Sequence, residues 1–215
     1  MPASSEYPVL SRLLSSNAQW SKDVSNTDPS FFKNLARGQA PKVLWIGCAD
    51  SRVPESVVLA CKPGDIFVHR NIANQFHLHD DSALSVLSYA VDVLGVEHVV
   101  IVGHTSCGGA AACLKGAREL RNSDGTGAHE APLERWLAPL TSLVASLDIS
   151  GPEVPDAEAL PVVVEENVKM QVENVVSSEI IRKAWSAGKN VHVHGWVYRV
   201  EEGRLQDLNI SQGPN

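Results

Sequence analysis

One stretch, residues 42–55, decides the fold; its sequence is KVLWIGCADSRVPE. It begins as an apolar run of strand length, and Pro54 is typical of the first turn of a helix. Between strand and helix lie a thiol, a carboxylate and a guanidinium, on Cys48, Asp50 and Arg52. Ligand sites of open parallel α/β sheets collect where strands end, so we expect the chemistry of this protein here.

Strands and helices alternate after this stretch. We predict strands at 42–47, 66–69, 99–102 and 191–198, with 205–210 as an antiparallel edge strand. Helices are predicted over 54–61, 80–94, 107–114, 132–147 and 157–187, and a polar loop over 118–131. The fold class is therefore α/β: a mostly parallel central sheet with flanking helices, an N-terminal helical arm and an antiparallel edge strand.

Residues 1–40 precede the first strand and have no place inside a βαβ unit. Apolar residues recur there at helical spacing, and Asp28 begins a second helical pattern. The apolar face of such an arm must pack on something. We expect residues 1–40 to form a helical arm that packs on a partner subunit, and residues 41–215 to form the α/β domain.

The bulk composition narrows the class of partner. The chain has 215 residues, 44% of them hydrophobic, and a net charge of -7. Without a basic cluster or a membrane-length apolar run, we expect neither nucleic acid nor a membrane as a partner, but a small molecule. No secretory or transit signal is recognisable, so a cytoplasmic location is expected. The four cysteines then serve as metal ligands, nucleophiles or core side chains.

Side chains of the metal-ligand type follow two of the predicted strands. Cys48 follows the first strand, and His104 and Cys107 follow the strand at 99–102. Thiolate and imidazole donors favour zinc, and three protein ligands leave a fourth position open, as in catalytic sites. Taken singly, each cysteine could equally be a buried apolar side chain, and we interpret Cys61 and Cys113 as core or surface thiols. Together they predict that 41–215 is a zinc-binding catalytic domain.

Asp50 is placed to act at the open position of such a site. It could accept a hydrogen bond there or, in a closed state, become the fourth ligand. Arg52 could hold the carboxylate by a two-point ion pair and keep it off the metal. The alternative is an ordinary ion pair within a loop.

These motifs resemble those of the β-class carbonic anhydrases. The chain has C-x-D-x-R at 48–52 and H-x-x-C-G-G at 104–109, and the resemblance extends through FVHRNIAN at 67–74 and HGWVY at 194–198. It implies reversible hydration of carbon dioxide to bicarbonate and a proton by zinc-bound hydroxide. Cys48, His104 and Cys107 would hold Zn²⁺, and Asp50 with Arg52 would form the assisting dyad.

The resemblance also implies a substrate pocket and a second site. The pocket positions are Gln39, Val53, Phe67, Ile72, Tyr89 and Gly108. Gln39 and Tyr89 would act across a dimer interface, which makes a second copy of the chain the expected partner, as a homodimer or a dimer of dimers. In one subset of the family a non-catalytic, regulatory bicarbonate site matches Trp45, Arg70 and Tyr198, and bicarbonate there would release Arg52 from Asp50.

Two other functions fit the same residues. A sulfur analogue of carbon dioxide could replace it as the substrate of the same zinc site. Alternatively, the chain could be a non-catalytic, zinc-stabilised protein that binds bicarbonate, with Asp50 resting on the metal. A nucleotide-binding function is disfavoured because no G-x-G-x-x-G follows a strand.

Overall fold

The computed structural model describes residues 7–122, 131–151 and 153–214. The chain divides into two compact units, Met1–Gln39 and Ala40–Asn215. The first contains helices α1 (Pro8–Thr27) and α2 (Phe31–Leu35), and the Trp20 ring packs edge-on against Phe32 with centroids 5.6 Å apart. Helix α1 buries none of its residues, and Leu10, Leu13 and Leu14 are each more than half exposed. These three leucines are therefore largely exposed to solvent.

A five-stranded sheet organises the second unit. Its strands are β1 (Val43–Cys48), β2 (Ile66–Asn71), β3 (His98–His104), β4 (His192–Arg199) and β5 (Arg204–Asp207), in the order β2-β1-β3-β4-β5. The first four are parallel and β5 is antiparallel to β4. The α/β class and its antiparallel edge strand are confirmed. Because β1 and β3 are neighbours, their carboxyl ends lie side by side.

Helices cover the sheet and enclose the main core. They are α3 (Glu55–Val58), α4 (Asp81–Ser88), α5 (Gly108–Asn122), α6 (Pro132–Ser146), α7 (Asp156–Ser177) and α8 (Glu179–Ser186). Leu44, Ile46 and Ile101 pack with helices α4 to α8 on one face of the sheet, whereas Trp45 and Val100 belong to a smaller cluster. None of the helices described here is both long and apolar enough to span a membrane.

Several predicted boundaries were wrong. The helix predicted over 80–94 changes at Tyr89 into a π-helical turn, Tyr89–Leu94, and the helix predicted over 157–187 is interrupted at Ser178. Helix α5 continues through Asn122, so the loop prediction fails for 118–122; residues 123–130 lie outside the described residues. Other differences include a shorter α3, a β2 that continues to Asn71, a β3 that extends from His98 to His104 and a β5 that ends at Asp207.

Helix α7 lies unusually close to the sheet at its carboxyl edge. A Cβ built on Gly103 of β3 would lie 2.7 Å from Cγ2 of Val168, and one on Gly195 of β4 would lie 2.9 Å from Cγ1 of the same valine. Only glycine leaves room for this approach. The two glycines therefore let the middle of α7 pack directly on β3 and β4, and Gly103 adjoins His104 at the end of β3.

Candidate metal centre

Three buried side chains of the metal-ligand type meet at the carboxyl edge of the sheet. Cys48 ends β1, His104 ends β3, and Cys107 immediately precedes α5. Their ligand atoms all lie within 4.8 Å of one another, and within the described part of the chain they form the one such group that could hold a metal ion. The structure thus brings together the three residues that their positions after predicted strands had singled out.

The imidazole of His104 is oriented as a metal ligand would be. Its Nδ1 lies 2.9 Å from the carbonyl oxygen of Thr105, so we assign the proton to Nδ1, which donates to that carbonyl. Nε2 then carries a lone pair; it is buried and has no hydrogen-bond partner among the described residues. A histidine whose second nitrogen is held by a carbonyl is the usual arrangement in metal sites.

The two thiols differ electrostatically because they lie close to each other. The neighbouring thiol of Cys107 is the largest cause that lowers the pKa of Cys48. The proximity of Cys48 raises the pKa of Cys107, with burial acting in the same direction. Two sulfur atoms and one imidazole nitrogen make a soft donor set that is compatible with zinc.

Asp50 and Arg52 form a two-point ion pair beside the three ligands. Arg52 donates from Nε to Oδ1 (3.0 Å) and from Nη2 to Oδ2 (2.7 Å), and its backbone N–H also donates to Oδ1. The hydrogen bonds from Arg52 hold the pKa of Asp50 well below its usual range. The ionised carboxylate faces the arginine, with Oδ2 3.8 Å from Nε2 of His104.

The turn between His104 and Cys107 is anchored by the end of β4. The N–H of Thr105 donates to the carbonyl of Tyr198, and its hydroxyl accepts from the N–H of Val200 at 2.9 Å while donating to Glu201. The next residue, Ser106, has a left-handed φ of 55° and accepts from Nη2 of Arg52 at 3.1 Å. Sequence reasoning missed both residues, because they orient His104 and Arg52 through backbone carbonyls that carry no motif.

The residues of the proposed pocket differ in how far they are buried. The rings of Phe67 and Tyr89 stack with centroids 5.8 Å apart. Tyr89 and Ile72 are nearly half exposed, whereas Val53 is buried in the cluster of Trp45. A Cβ on Gly108 would meet nothing within 4 Å. Gln39 belongs to the first unit.

Arg70 supports the backbone of the metal loop. Its Nε donates to the carbonyl of Cys48 at 2.8 Å and its Nη2 to the carbonyl of Asp50 at 2.6 Å, while Nη1 lies 3.6 Å from a carboxylate oxygen of Glu55. The other two residues of the proposed bicarbonate site, Trp45 and Tyr198, are buried in one apolar cluster. Nε1 of Trp45 is buried and has no hydrogen-bond partner within the described part of the chain.

Comparison with known proteins identifies the family. A family model described as carbonic anhydrase matches residues 43–205. The carbonic anhydrase of Emericella nidulans is 35% identical over 201 residues, which cover 93% of this chain and 83% of that protein. Among solved structures, a tetrameric β-carbonic anhydrase from Sordaria macrospora superposes with a TM-score of 0.82 at 35% identity, covering 96% of this chain and 100% of that one. The β-carbonic anhydrase of Coccomyxa in complex with acetazolamide superposes with a TM-score of 0.83 at 31% identity, covering 94% of this chain and 87% of that one. The chain belongs to the β-class carbonic anhydrases.

Proposed function

We propose that this chain catalyses the reversible hydration of carbon dioxide to bicarbonate and a proton, with one zinc ion held by Cys48, His104 and Cys107. One observation carries the proposal: beside an ionised aspartate, two thiols converge with an imidazole nitrogen that has no hydrogen-bond partner among the described residues. Membership of the carbonic anhydrase family supports the same reaction.

The protein side chains supply the orientation that the reaction needs. A zinc ion bound by the three ligands supplies Lewis-acid activation of water. Asp50, held ionised by Arg52, presents an acceptor oxygen next to His104 and can orient the protons of a water molecule in the site. Arg52 is in turn fixed by the carbonyl of Ser106, so the carboxylate keeps its direction.

The pocket suits a small apolar substrate. In the pocket that the family resemblance implies, Phe67, Ile72 and Tyr89 would offer apolar and aromatic surface, and the rings of Phe67 and Tyr89 stack on each other. Gln39 would add an amide donor for a developing bicarbonate oxygen, a role that the family resemblance assigns to it together with Tyr89 across a dimer interface.

A second copy of the chain is the proposed partner of the N-terminal arm. The apolar side chains of α1 are exposed in the single chain, and the similar enzyme from Sordaria macrospora is described as tetrameric. Sedimentation velocity should therefore show a species of at least twice the 23.2 kDa chain mass. A monomer at micromolar concentration would contradict this part of the proposal.

Stopped-flow measurement of carbon dioxide hydration at alkaline pH tests the function. The zinc-loaded chain should turn over, lose its activity on chelation and recover it when zinc is added back. Hydrolysis of carbon disulfide or carbonyl sulfide in preference to carbon dioxide hydration would favour the sulfur substrate. Zinc and bicarbonate binding without turnover at any pH would favour the non-catalytic binding protein.

Regulation by bicarbonate at Trp45, Arg70 and Tyr198 is a further part of the proposal. Arg70 is bonded to the carbonyl of Asp50, so an anion that draws the guanidinium away would loosen the loop that carries Asp50. We expect cooperative inhibition by added bicarbonate, strongest at low pH, and its loss in Tyr198→Phe. A smooth, non-cooperative activity profile without bicarbonate inhibition in the parent would contradict it.

A further inference from the structure

The segment Asn71–Phe76, which begins at the last residue of β2 and leads toward α4, is an irregular turn that is buried from Ala73 to Phe76. Ala73 and Asn74 have φ angles of 60° and 46°, in the left-handed region that residues other than glycine rarely adopt. Ala73, Asn74 and Phe76 are at most 1% exposed. A buried, strained turn persists only where its surroundings hold it and where its backbone polar groups find partners.

Helix α7 binds the backbone of this turn at three points. Nδ2 of Asn167 donates to the carbonyl of Ala73 at 2.9 Å, and Oε1 of Gln171 accepts from the N–H of Phe76 at 2.8 Å. Nδ2 of Asn174 donates to the carbonyl of Phe76 at 3.0 Å. Three amides that follow one another at helical spacing thus replace the backbone partners that the turn lacks.

The amides also bind one another. Nε2 of Gln75 donates to Oδ1 of Asn167 at 2.7 Å and to the carbonyl of Ala73 at 2.7 Å, and Nε2 of Gln171 donates to the same Oδ1 at 3.0 Å. Gln75 and Gln171 are fully buried and Asn167 is 2% exposed. Their neighbours on the buried face of α7 are valines, so these amides interrupt an otherwise apolar stripe. Buried polar networks of this kind are retained because leaving any member unpaired is costly.

The turn touches both segments that carry the metal-ligand cysteines. The carbonyl of Asn71 accepts from the N–H of Ala49, directly after Cys48, at 2.7 Å. The methyl group of Ala73 lies 2.8 Å from where a Cβ on Gly109 would stand, so the turn packs directly on the start of α5, next to Cys107. Nε1 of Trp136, on α6, fixes the same turn by donating to the carbonyl of Ile72 at 2.9 Å.

We propose that Asn167, supported by Gln171, is a positioning residue of the metal centre. It holds the left-handed turn at Ala73, so the turn stays bonded to the backbone after Cys48 and packed against the start of α5. The inference rests on the proposed role of Cys48 as a metal ligand. Outer partners of metal ligands change metal affinity or activity by about 10–100-fold when they are lost.

Asn167→Leu tests the inference, because leucine has a similar size but makes no hydrogen bond. Val172→Ala is the matched control: Val172 is 1% exposed on the same helix and belongs to the apolar core. Both variants should unfold at lower temperature than the parent. Only Asn167→Leu should bind zinc at least ~10-fold more weakly in competition with a chromophoric chelator. Parent-like zinc affinity in Asn167→Leu, or equal weakening in Val172→Ala, would overturn the inference.

A milder variant covers the case in which Asn167→Leu fails to fold. Asn174→Leu removes the donor to the carbonyl of Phe76 at the half-buried end of the network. It should weaken zinc binding several-fold, and an unchanged affinity would overturn the inference equally. The Cys48→Ser variant separates the two proposals: if it binds zinc as tightly as the parent, the proposed metal site itself is wrong.

Discussion

Replacing Cys48 with serine should abolish both zinc binding and carbon dioxide hydration. The change exchanges one of two soft thiolate donors for a hydroxyl that is a poor zinc ligand at neutral pH. Loss of a residue that only hydrogen-bonds to a metal ligand lowers metal affinity or activity about 10–100-fold. We therefore expect loss of a direct ligand to lower both zinc affinity and kcat/KM by more than ~100-fold. Metal content by mass spectrometry and stopped-flow hydration measure the two effects.

Cys113→Ser is the matched control for this variant. Cys113 is as deeply buried as Cys48 but lies on α5, where its sulfur is 3.9 Å from the carbonyl of Leu137. Serine there should lower thermal stability and leave one zinc per chain with parent activity. A Cys48→Ser protein that retains one zinc per chain and the parent rate would show that Cys48 is not a ligand.

Arg52→Ala should lower kcat about 100-fold while zinc remains bound, within the range for loss of a positioned acid–base partner. Arg52 lowers the pKa of Asp50, so its removal lets that pKa rise toward its ordinary value of about 3.9. The carboxylate therefore stays ionised at neutral and alkaline pH, and the loss must come from its orientation: without the arginine it is free to turn toward His104.

Lys42→Ala is the control that separates the lower kcat expected for Arg52→Ala from the general effect of losing a surface ion pair. Lys42 pairs with Glu97 at the opposite, amino-terminal edge of the sheet, and both side chains are at least half exposed. Its removal should change neither kcat nor zinc content. If Arg52→Ala hydrates carbon dioxide at the parent rate, the pair with Asp50 is only a loop ion pair, which is the simpler interpretation of the sequence.

The parts of the fold that could be predicted are those determined by local pattern and by the parallel arrangement of the strands. An apolar run followed by Cys48 and a β-branched run followed by His104 were enough to place two candidate ligands at one edge, because parallel strands end together. The pair of Asp50 and Arg52 could be anticipated for the same reason, since the two residues are only two positions apart.

The parts that could not be predicted depend on contacts between distant residues. The turn at Ala73 is held by side chains 92–98 residues further along the chain, and no local propensity favours left-handed alanine. Ser178 divides the predicted long helix because its hydroxyl accepts from the N–H of Ile181 and begins α8, a cap that competes with helix continuation. Asn167, Gln171 and Asn174 were the available signal: amides at helical spacing within a valine stripe.

X-ray absorption at the zinc edge of the purified chain tests the central claim most directly, because it counts the sulfur atoms around the ion. The account predicts two sulfur atoms at about 2.3 Å, with the remaining ligands nitrogen or oxygen at about 2.0–2.2 Å. A zinc shell with one sulfur atom or none would contradict it, since Cys48 and Cys107 would then not share one ion.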